Sequence, residues 1–125
     1  MSASEVVVRL WPVPSACADA RHQIGDFCRT RGLARLVDDA ELLTSELVAN
    51  AIREASALIT LVGTERDDVL VVGVVGDGPV RAELTAAPAE GLSEGGRGLF
   101  VVDQIADEWG SSRHKDGMTV WFRLS

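Results

Sequence analysis

The sequence has little lysine and no long apolar run, and these shortages exclude several classes of protein. Only one of the 12 basic residues is a lysine, Lys115, so a mechanism that needs a lysine has a single candidate. No G-x-x-x-x-G-K-[ST] pattern occurs, which excludes a P-loop NTPase. The apolar run from Val69 to Val75 contains a glycine and is too short to span a bilayer. We therefore expect neither a P-loop enzyme nor a membrane partner.

Cysteine is also scarce, and the two cysteines are predicted to be core thiols. Cys17 and Cys28 lie on one predicted helix, about 16 Å apart along its axis, which is too far for a disulfide. Neither forms a metal-ligand pair, and His22 and His114 do not complete a ligand set.

The N-terminus MSASEVVVRLWPVP lacks the basic start, long apolar stretch and cleavage site of a signal peptide. We expect a cytoplasmic protein.

The composition is that of one acidic globular domain. A chain of 125 residues with 46% hydrophobic residues can bury a core without disulfides, so we predict a single domain over residues 1–125. Acidic residues number 19 against 12 basic ones, and the net charge is −7. Because nucleic acids carry dense negative charge, we expect no direct nucleic-acid partner.

The hydrophobic periodicity predicts the element order β-α-α-β-β-loop-α-β-β. Strands are predicted over 6–10, 58–64, 69–76, 107–112 and 118–124, and helices over 15–30, 38–55 and 98–106. Ser15 is the expected N-cap of the first helix, and Asp38 with Glu41 resembles a capping box for the second. Segregated strands and helices favour an α+β fold, a two-layer α/β sandwich with helices on one face of a mostly antiparallel sheet. The segment 81–95 has no pattern of its own, which is typical of a lid or binding loop.

The run SELVANAIRE, residues 45–54, places three polar side chains on one side of the second helix. Glu46, Asn50 and Arg53 fall within about 60° of one another on a helix. A carboxylate can act as a general base, and an amide oxygen is a ligand for Mg²⁺. Taken alone, the stripe is more typical of a solvated helix face.

Two further segments, EGGRGLFVV and GDGP, place polar groups where a ligand could use them. Gly95, Gly96 and Gly98 precede a predicted helix whose free N–H groups and dipole could bind phosphate, with Arg97 adding positive charge. A flexible loop before an ordinary helix is the alternative. Asp77 ends a buried strand and could accept a hydrogen bond from an amino group such as that of adenine. On its own, Asp-Gly-Pro is more typical of a turn.

Taken together and in this order, SELVANAIRE, VVGDGP and GGRGLFVVDQIADEWG resemble the GHKL ATPase superfamily. Within it they are similar to the small bacterial anti-sigma-factor serine kinases and their stand-alone ATP-binding relatives. The resemblance extends from about Trp11 to Leu124 and includes the closing hairpin GMTVWFRL. It implies a Bergerat-type ATP-binding fold with ATP and Mg²⁺ as cofactors, and a lid over residues 80–95.

The resemblance also implies a role for each matching residue. Glu46 would be the catalytic base that activates a water or a serine hydroxyl, and Asn50 would hold the metal. Asp77 would bind the adenine amino group, with Gly78 allowing the base to approach. The nucleotide-binding positions implied by the resemblance are Asn50, Arg53, Asp77, Gly78, Gly96, Arg97, Gly98 and Leu99.

The implied activity is transfer of the γ-phosphate of ATP to a serine of an anti-sigma-factor antagonist of the STAS type. Such a regulator also sequesters a sigma factor, and family analogy allows a homodimer. Three departures leave a second hypothesis open, a nucleotide-dependent protein-binding switch without phosphotransfer. Glu54 stands where the family often has histidine, Pro79 replaces the second glycine of the superfamily's D-x-G-x-G pattern, and Arg81 is the only basic residue of the lid. A domain that has lost nucleotide binding is a third hypothesis, disfavoured because the acidic and amide residues of the motifs are all present.

Overall fold

A computed structural model describes residues 4–54, 57–77, 94–115 and 117–125. Their elements follow the predicted order, with one additional 3-10 turn at Ala34–Leu36. The elements are β1 Ser4–Leu10, α1 Ser15–Thr30, α2 Val37–Glu54, β2 Ile59–Arg66, β3 Val69–Asp77, α3 Glu94–Ile105, β4 Glu108–His114 and β5 Gly117–Leu124.

The five strands form one antiparallel sheet in the order β1-β2-β3-β5-β4. The helices lie on one face of this sheet, with α2 in contact with α1, α3 and β3. This arrangement confirms the predicted α+β sandwich with helices on one face of an antiparallel sheet. None of the described helices is both long and apolar enough to cross a membrane.

The core lies between the helices and the sheet, and the sequence pattern of β3 explains its place. Leu70, Val72 and Val74 are buried in the core, while Val71 and Val75 point to the other face and are only half-buried. A strand that is apolar on both sides suits a central position, and β3 is the third of the five strands.

Both predicted helix caps are wrong. The first helix begins at Ser15 itself, and Pro14 occupies the cap position without a side-chain hydrogen bond. Ahead of α2 the chain is already helical in the 3-10 turn, where the N–H of Leu36 donates to the carbonyl of Leu33 at 2.9 Å. Asp38 therefore lies in the first turn of α2 rather than before it. Its negative charge there still interacts favourably with the positive end of the helix dipole.

The hairpin between β2 and β3 is tighter than the predicted four-residue turn. Arg66 pairs with Val69, which leaves a two-residue turn at Asp67 and Asp68. Their φ angles of 52° and 67° are those of a type I′ turn. This turn matches the twist of antiparallel strands, so β2 extends to Arg66.

Candidate functional site

The middle helix α2 carries Asn50, and this residue is buried although it is polar. Its side chain is 2% exposed, and its Oδ1 has no hydrogen-bond partner among the described residues. A solvated helix face would expose Asn50, so the structure excludes that interpretation for this residue. An unpaired buried amide oxygen costs about 1–3 kcal/mol. Such a group in a native fold calls for an explanation, and a bound ligand is one.

Glu46 lies one helical turn before Asn50 on α2 and is half-buried. The Glu46 carboxylate acts electrostatically on a residue of α1, the thiol of Cys17. Burial raises the pKa of Cys17, the Arg21 and Arg53 guanidinium groups lower it, and the Glu46 carboxylate raises it. Glu46 and Arg53 therefore both lie close enough to the first turns of α1 to act on one sulfur atom.

A residue of α1, Arg21, contacts α2 next to Glu46, and no sequence pattern predicted this contact. The Arg21 Nη1 donates a hydrogen bond of 3.0 Å to the Oγ of Ser45, the residue before Glu46. Arg21 thus ties α1 to the polar part of α2. No spacing in the sequence connects these positions, because the two residues are 24 positions apart and meet only through the packing of the two helices.

The end of α2 carries Arg53 and Glu54, both of which are half-buried. The Oε2 of Glu54 is buried and has no hydrogen-bond partner among the described residues. Glu54 is thus more than a peripheral surface carboxylate. It places a second negative charge on the last turn of the helix that holds Asn50.

Asp77 is the last residue of β3, and its side chain is exposed. Its N–H donates to the carbonyl of Leu58 at 3.2 Å, and on the other side it pairs in register with Gly117 of β5. A Cβ on Gly117 would collide with the carbonyl oxygen of Gly76, so glycine is required for this close approach. The backbone of Asp77 is fixed from both sides while its carboxylate stays open to a ligand.

The glycine-rich segment EGGRGLFVV lies at the start of α3, but this helix begins earlier than predicted. It starts at Glu94 rather than near Gly98, so the glycines lie within its first turns and not in a preceding loop. Leu99 and Val102 are buried in the core and hold the helix in place, which explains why it tolerates the glycines. The free N–H groups of a helix belong to its first residues. The predicted phosphate site therefore falls on the first turn itself.

Several predicted site residues lie outside the described part of the chain. Gly78 and most of the predicted lid belong to residues 78–93, whereas residues 94 and 95 are the first of α3. Gly96, Arg97 and Gly98 are described as helical backbone only, and the side chain of Arg97 is not described. Leu99 is 1% exposed, with its side chain in the core.

The described residues suit a magnesium ion held together with phosphates better than a metal site made of protein alone. They contain no group of three or more His, Cys, Asp or Glu side chains that could hold a metal. Mg²⁺ commonly takes one or two protein oxygens and completes its shell with phosphates and water. The unpaired Oδ1 of Asn50 fits this coordination.

The motifs lie on neighbouring elements, since α2 packs against both β3 and α3. A sequence model of the histidine kinase-like ATPase domain matches residues 10–124, and no curated protein matches the chain. The chain therefore belongs to the histidine kinase-like ATPase domain family. This confirms the predicted GHKL-type ATPase domain, and it implies nucleotide binding, usually with Mg²⁺.

Proposed function

We propose that this histidine kinase-like ATPase domain is a cytoplasmic anti-sigma regulator with protein serine kinase activity. It phosphorylates a serine of a STAS-type antagonist protein, and it binds a sigma factor that the phosphorylated antagonist no longer displaces. The observation that carries the proposal is the buried, unpaired Oδ1 of Asn50, one turn after the half-buried Glu46. A metal ligand and a general base on one helix suit phosphoryl transfer.

Each described residue has a distinct task in this reaction. The Oδ1 of Asn50 would hold Mg²⁺, which would supply positive charge to neutralise the phosphate oxygens. The exposed carboxylate of Asp77 accepts a hydrogen bond from the adenine amino group. The serine oxygen of the antagonist attacks the γ-phosphorus, the bond from that phosphorus to the bridging oxygen breaks, and ADP leaves. Glu46 takes the proton that the serine hydroxyl loses.

Arg21 supports this arrangement as a positioning residue. Its hydrogen bond to Ser45 holds α1 against the turn of α2 that carries Glu46. The bond is partly buried, so it is less exposed to competition from water than a surface contact. The serine of a protein substrate would approach Glu46 past this corner of the two helices.

A nucleotide-dependent binding switch is the second candidate, and Glu54 is the observation that favours it. The buried, unpaired Oε2 of Glu54 puts negative charge beside Arg53, where the resemblance expects a phosphate partner. Repulsion of the triphosphate would slow transfer while leaving room for ADP. In this version, nucleotide occupancy changes the affinity for a partner protein.

Phosphotransfer with matched variants tests the proposal. The protein is incubated with Mg²⁺ and γ-labelled ATP and with each STAS-type protein encoded in the same genome. Glu46→Gln is compared with Glu41→Gln, the same change on the same helix at a carboxylate that contacts Arg29 instead. We expect Glu46→Gln to lower label transfer at least about 100-fold, with ADP affinity within about threefold of wild type. Glu41→Gln should transfer as wild type does.

The nucleotide titration separates the candidates. Nucleotide binding without transfer to any of the STAS-type proteins would overturn the kinase and favour the switch. No binding of any adenine nucleotide would overturn both. Asp77→Asn should weaken binding of ATP and ADP alike, because both carry the same base.

A further inference from the structure

The edge strand β4 contributes one side chain to the core between the helices and the sheet, the indole of Trp109. Trp109 is half-buried, and it pairs in register with Phe122, which is 0% exposed. Ser111 and Arg113, the next residues on the same side of β4, are both exposed. Trp109 is therefore the side chain through which β4 packs against the helical layer.

This indole also donates a hydrogen bond to α3. Its Nε1 lies 2.8 Å from the Oδ1 of Asp103, a residue in the last turn of the helix, which ends at Ile105. The acceptor is a carboxylate, and a hydrogen bond to a charged group is stronger than one between neutral groups. The bond joins the end of α3 to the side chain that β4 places in the core.

The connection between α3 and β4 is held on the sheet as well. The N–H of Ala106 donates to the carbonyl of Val102, and the N–H of Asp107 donates to the carbonyl of Arg123, both at 2.9 Å. The Asp107 carboxylate also accepts a hydrogen bond of 2.7 Å from the hydroxyl of Ser125. The C-terminal end of α3 is thus attached to the sheet by several hydrogen bonds.

The beginning of α3 is a weaker helix by sequence. Gly95, Gly96 and Gly98 fall within residues 94–98, and glycine loses more conformational freedom in a helix than any other residue. The first turn also carries the free N–H groups that would bind the phosphates. Its position therefore depends on contacts that are made further along the helix.

A small change of angle at Asp103 is amplified at the beginning of α3. Asp103 follows Glu94 by nine residues, which is about 14 Å along the helix axis. A tilt of about 10° at Asp103 would move the first N–H groups by about 2 Å, far more than a hydrogen bond to a phosphate oxygen tolerates. The packing of Leu99 and Val102 is non-directional, whereas the hydrogen bond of Asp103 has a preferred distance and angle.

We propose that the hydrogen bond from Trp109 to Asp103 is a positioning contact for nucleotide binding. It sets the angle of α3 on the sheet and thereby places the first turn of the helix against the phosphates. Neither side chain touches the nucleotide, so both are positioning residues. This role rests on the nucleotide binding of the proposed function and not on phosphotransfer.

The negative charge of Asp103 makes the sign of the expected effect informative. Removing a carboxylate about 14 Å from the first turn should, through charge alone, slightly strengthen the binding of an anionic nucleotide. Loss of the position of α3 should weaken that binding instead. The two effects of Asp103→Ala therefore have opposite directions.

Calorimetric titration of the full chain with ADP and with adenosine, both with Mg²⁺, tests the role. We expect Asp103→Ala to raise the Kd for ADP about tenfold. Its Kd for adenosine should stay within about twofold, because adenosine has no phosphate for α3 to bind. Trp109→Phe should have the same effects, since it removes the donor and keeps an aromatic ring. Asp103→Asn should bind ADP within about threefold of wild type, because its amide oxygen still accepts from the indole.

Asp107→Ala is the matched control. It removes a carboxylate from the same connection, one that accepts from Ser125 instead, and its Kd for ADP should stay within about twofold of wild type. The double variant Asp103→Ala/Trp109→Phe should bind ADP as weakly as either single variant, since all three lose one and the same contact. Circular dichroism checks that each variant is folded.

The wild-type protein provides a readout that needs no variant to fold. Phosphate binding and the hydrogen bond favour the same position of α3, so each should strengthen the other. ADP should slow the exchange of the Trp109 indole proton with water at least about threefold, and adenosine should not. Nuclear magnetic resonance of the ¹⁵N-labelled indoles measures this rate, and the spectrum of Trp109→Phe identifies the signal.

Several results would overturn the role of this contact while leaving nucleotide binding intact. These are an Asp103→Ala variant that binds ADP as wild type does or more tightly, equal losses of ADP and adenosine affinity, an equal loss in Asp107→Ala, and an indole proton whose exchange ADP does not slow. A wild type that binds no adenine nucleotide would overturn both this role and the proposed function.

Discussion

The helices α1 and α2 pack side by side, yet their polar side chains differ in how completely they are hydrogen-bonded. On α1, Arg29 lies 3.4 Å from the carboxylate of Asp26, the hydroxyl of Thr30 donates to the carbonyl of Phe27, and Arg21 donates to Ser45. On α2, by contrast, Thr44, Asn50 and Glu54 each have a buried oxygen with no partner among the described residues. The polar groups of α1 thus serve the fold, while α2 holds acceptors that the fold itself does not satisfy.

This difference singles out α2 without reference to any motif. Buried polar groups are nearly always hydrogen-bonded, so three exceptions on one helix mark a place where stability has been given up. Thr44 and Asn50 lie six residues apart, and only Asn50 belongs to the stripe with Glu46. The two residues can therefore be tested separately.

The largest effect is expected at Asn50. Asn50→Leu removes the unpaired oxygen while keeping the number and branching of the side-chain heavy atoms, so the free energy of unfolding of the nucleotide-free protein should rise by about 1 kcal/mol. The same change should raise the Kd for Mg·ATP about 100-fold, because the metal loses its protein ligand. Denaturant unfolding and calorimetric titration measure the two effects.

Thr44→Val is the matched control for Asn50→Leu. It also removes a buried unpaired oxygen, and Thr44 is 0% exposed, so stability should rise by a similar amount, about 1 kcal/mol. Its Kd for Mg·ATP should stay within about twofold of wild type. Equal losses of nucleotide binding in both variants would contradict the assignment of Asn50 as the metal ligand and of Thr44 as a residue without a role in binding.

The second largest effect is expected in the free energy of unfolding at high pH, and it arises from Cys28 on α1. Burial and, to a smaller extent, the Glu41 carboxylate raise the pKa of the Cys28 thiol while Arg29 lowers it, and together they bring this pKa to about 11. Because the folded pKa lies above the unfolded value of 9.0, this contribution is fully present below pH 9 and is lost as the pH rises through about 11. We expect unfolding free energy to fall by on the order of 2 kcal/mol over this range.

Comparing Cys28→Ala with wild type isolates this effect from other groups that titrate at high pH. The difference in unfolding free energy between the two proteins should be constant up to about pH 9 and then narrow. Nucleotide affinity of the variant should remain unchanged, since Cys28 belongs to the core cluster and not to the α2 stripe. A difference that stays constant up to pH 11 would contradict the assignment.

The sequence predicted the fold well because local periodicity carries it. The apolar run of β3 and the helical spacing of Leu43, Leu47 and Ala51 each indicate residues that must be buried. The caps of α1 and α2 and the start of α3 were wrong. Ahead of α2 a 3-10 turn leads directly into the helix, and α3 begins at Glu94 rather than near Gly98. Boundaries of this kind depend on tertiary contacts.

The site was predicted only in part, for a related reason. Residues on one helix, such as Glu46 and Asn50, are placed by spacing alone. Spacing could not show that Asn50 is buried, nor that Arg21 and Cys17 of α1 lie beside Glu46. The resemblance supplied roles for the α2 residues and none for these two, which only the packing of the two helices reveals.

The smallest expected effect lies where the two helices meet, at Cys17. The thiolate is the reactive form, so the alkylation rate below pH 9 follows the thiol pKa. Glu46 raises the pKa of Cys17 and Arg53 lowers it. Glu46→Gln should therefore speed alkylation of Cys17 about twofold, and Arg53→Gln should slow it about twofold. The Glu41 carboxylate acts on Cys28 instead, so Glu41→Gln should leave the alkylation rate of Cys17 unchanged. Peptide mass spectrometry after timed alkylation measures each rate, and equal rates in all three variants would show that the charges of α2 do not reach α1.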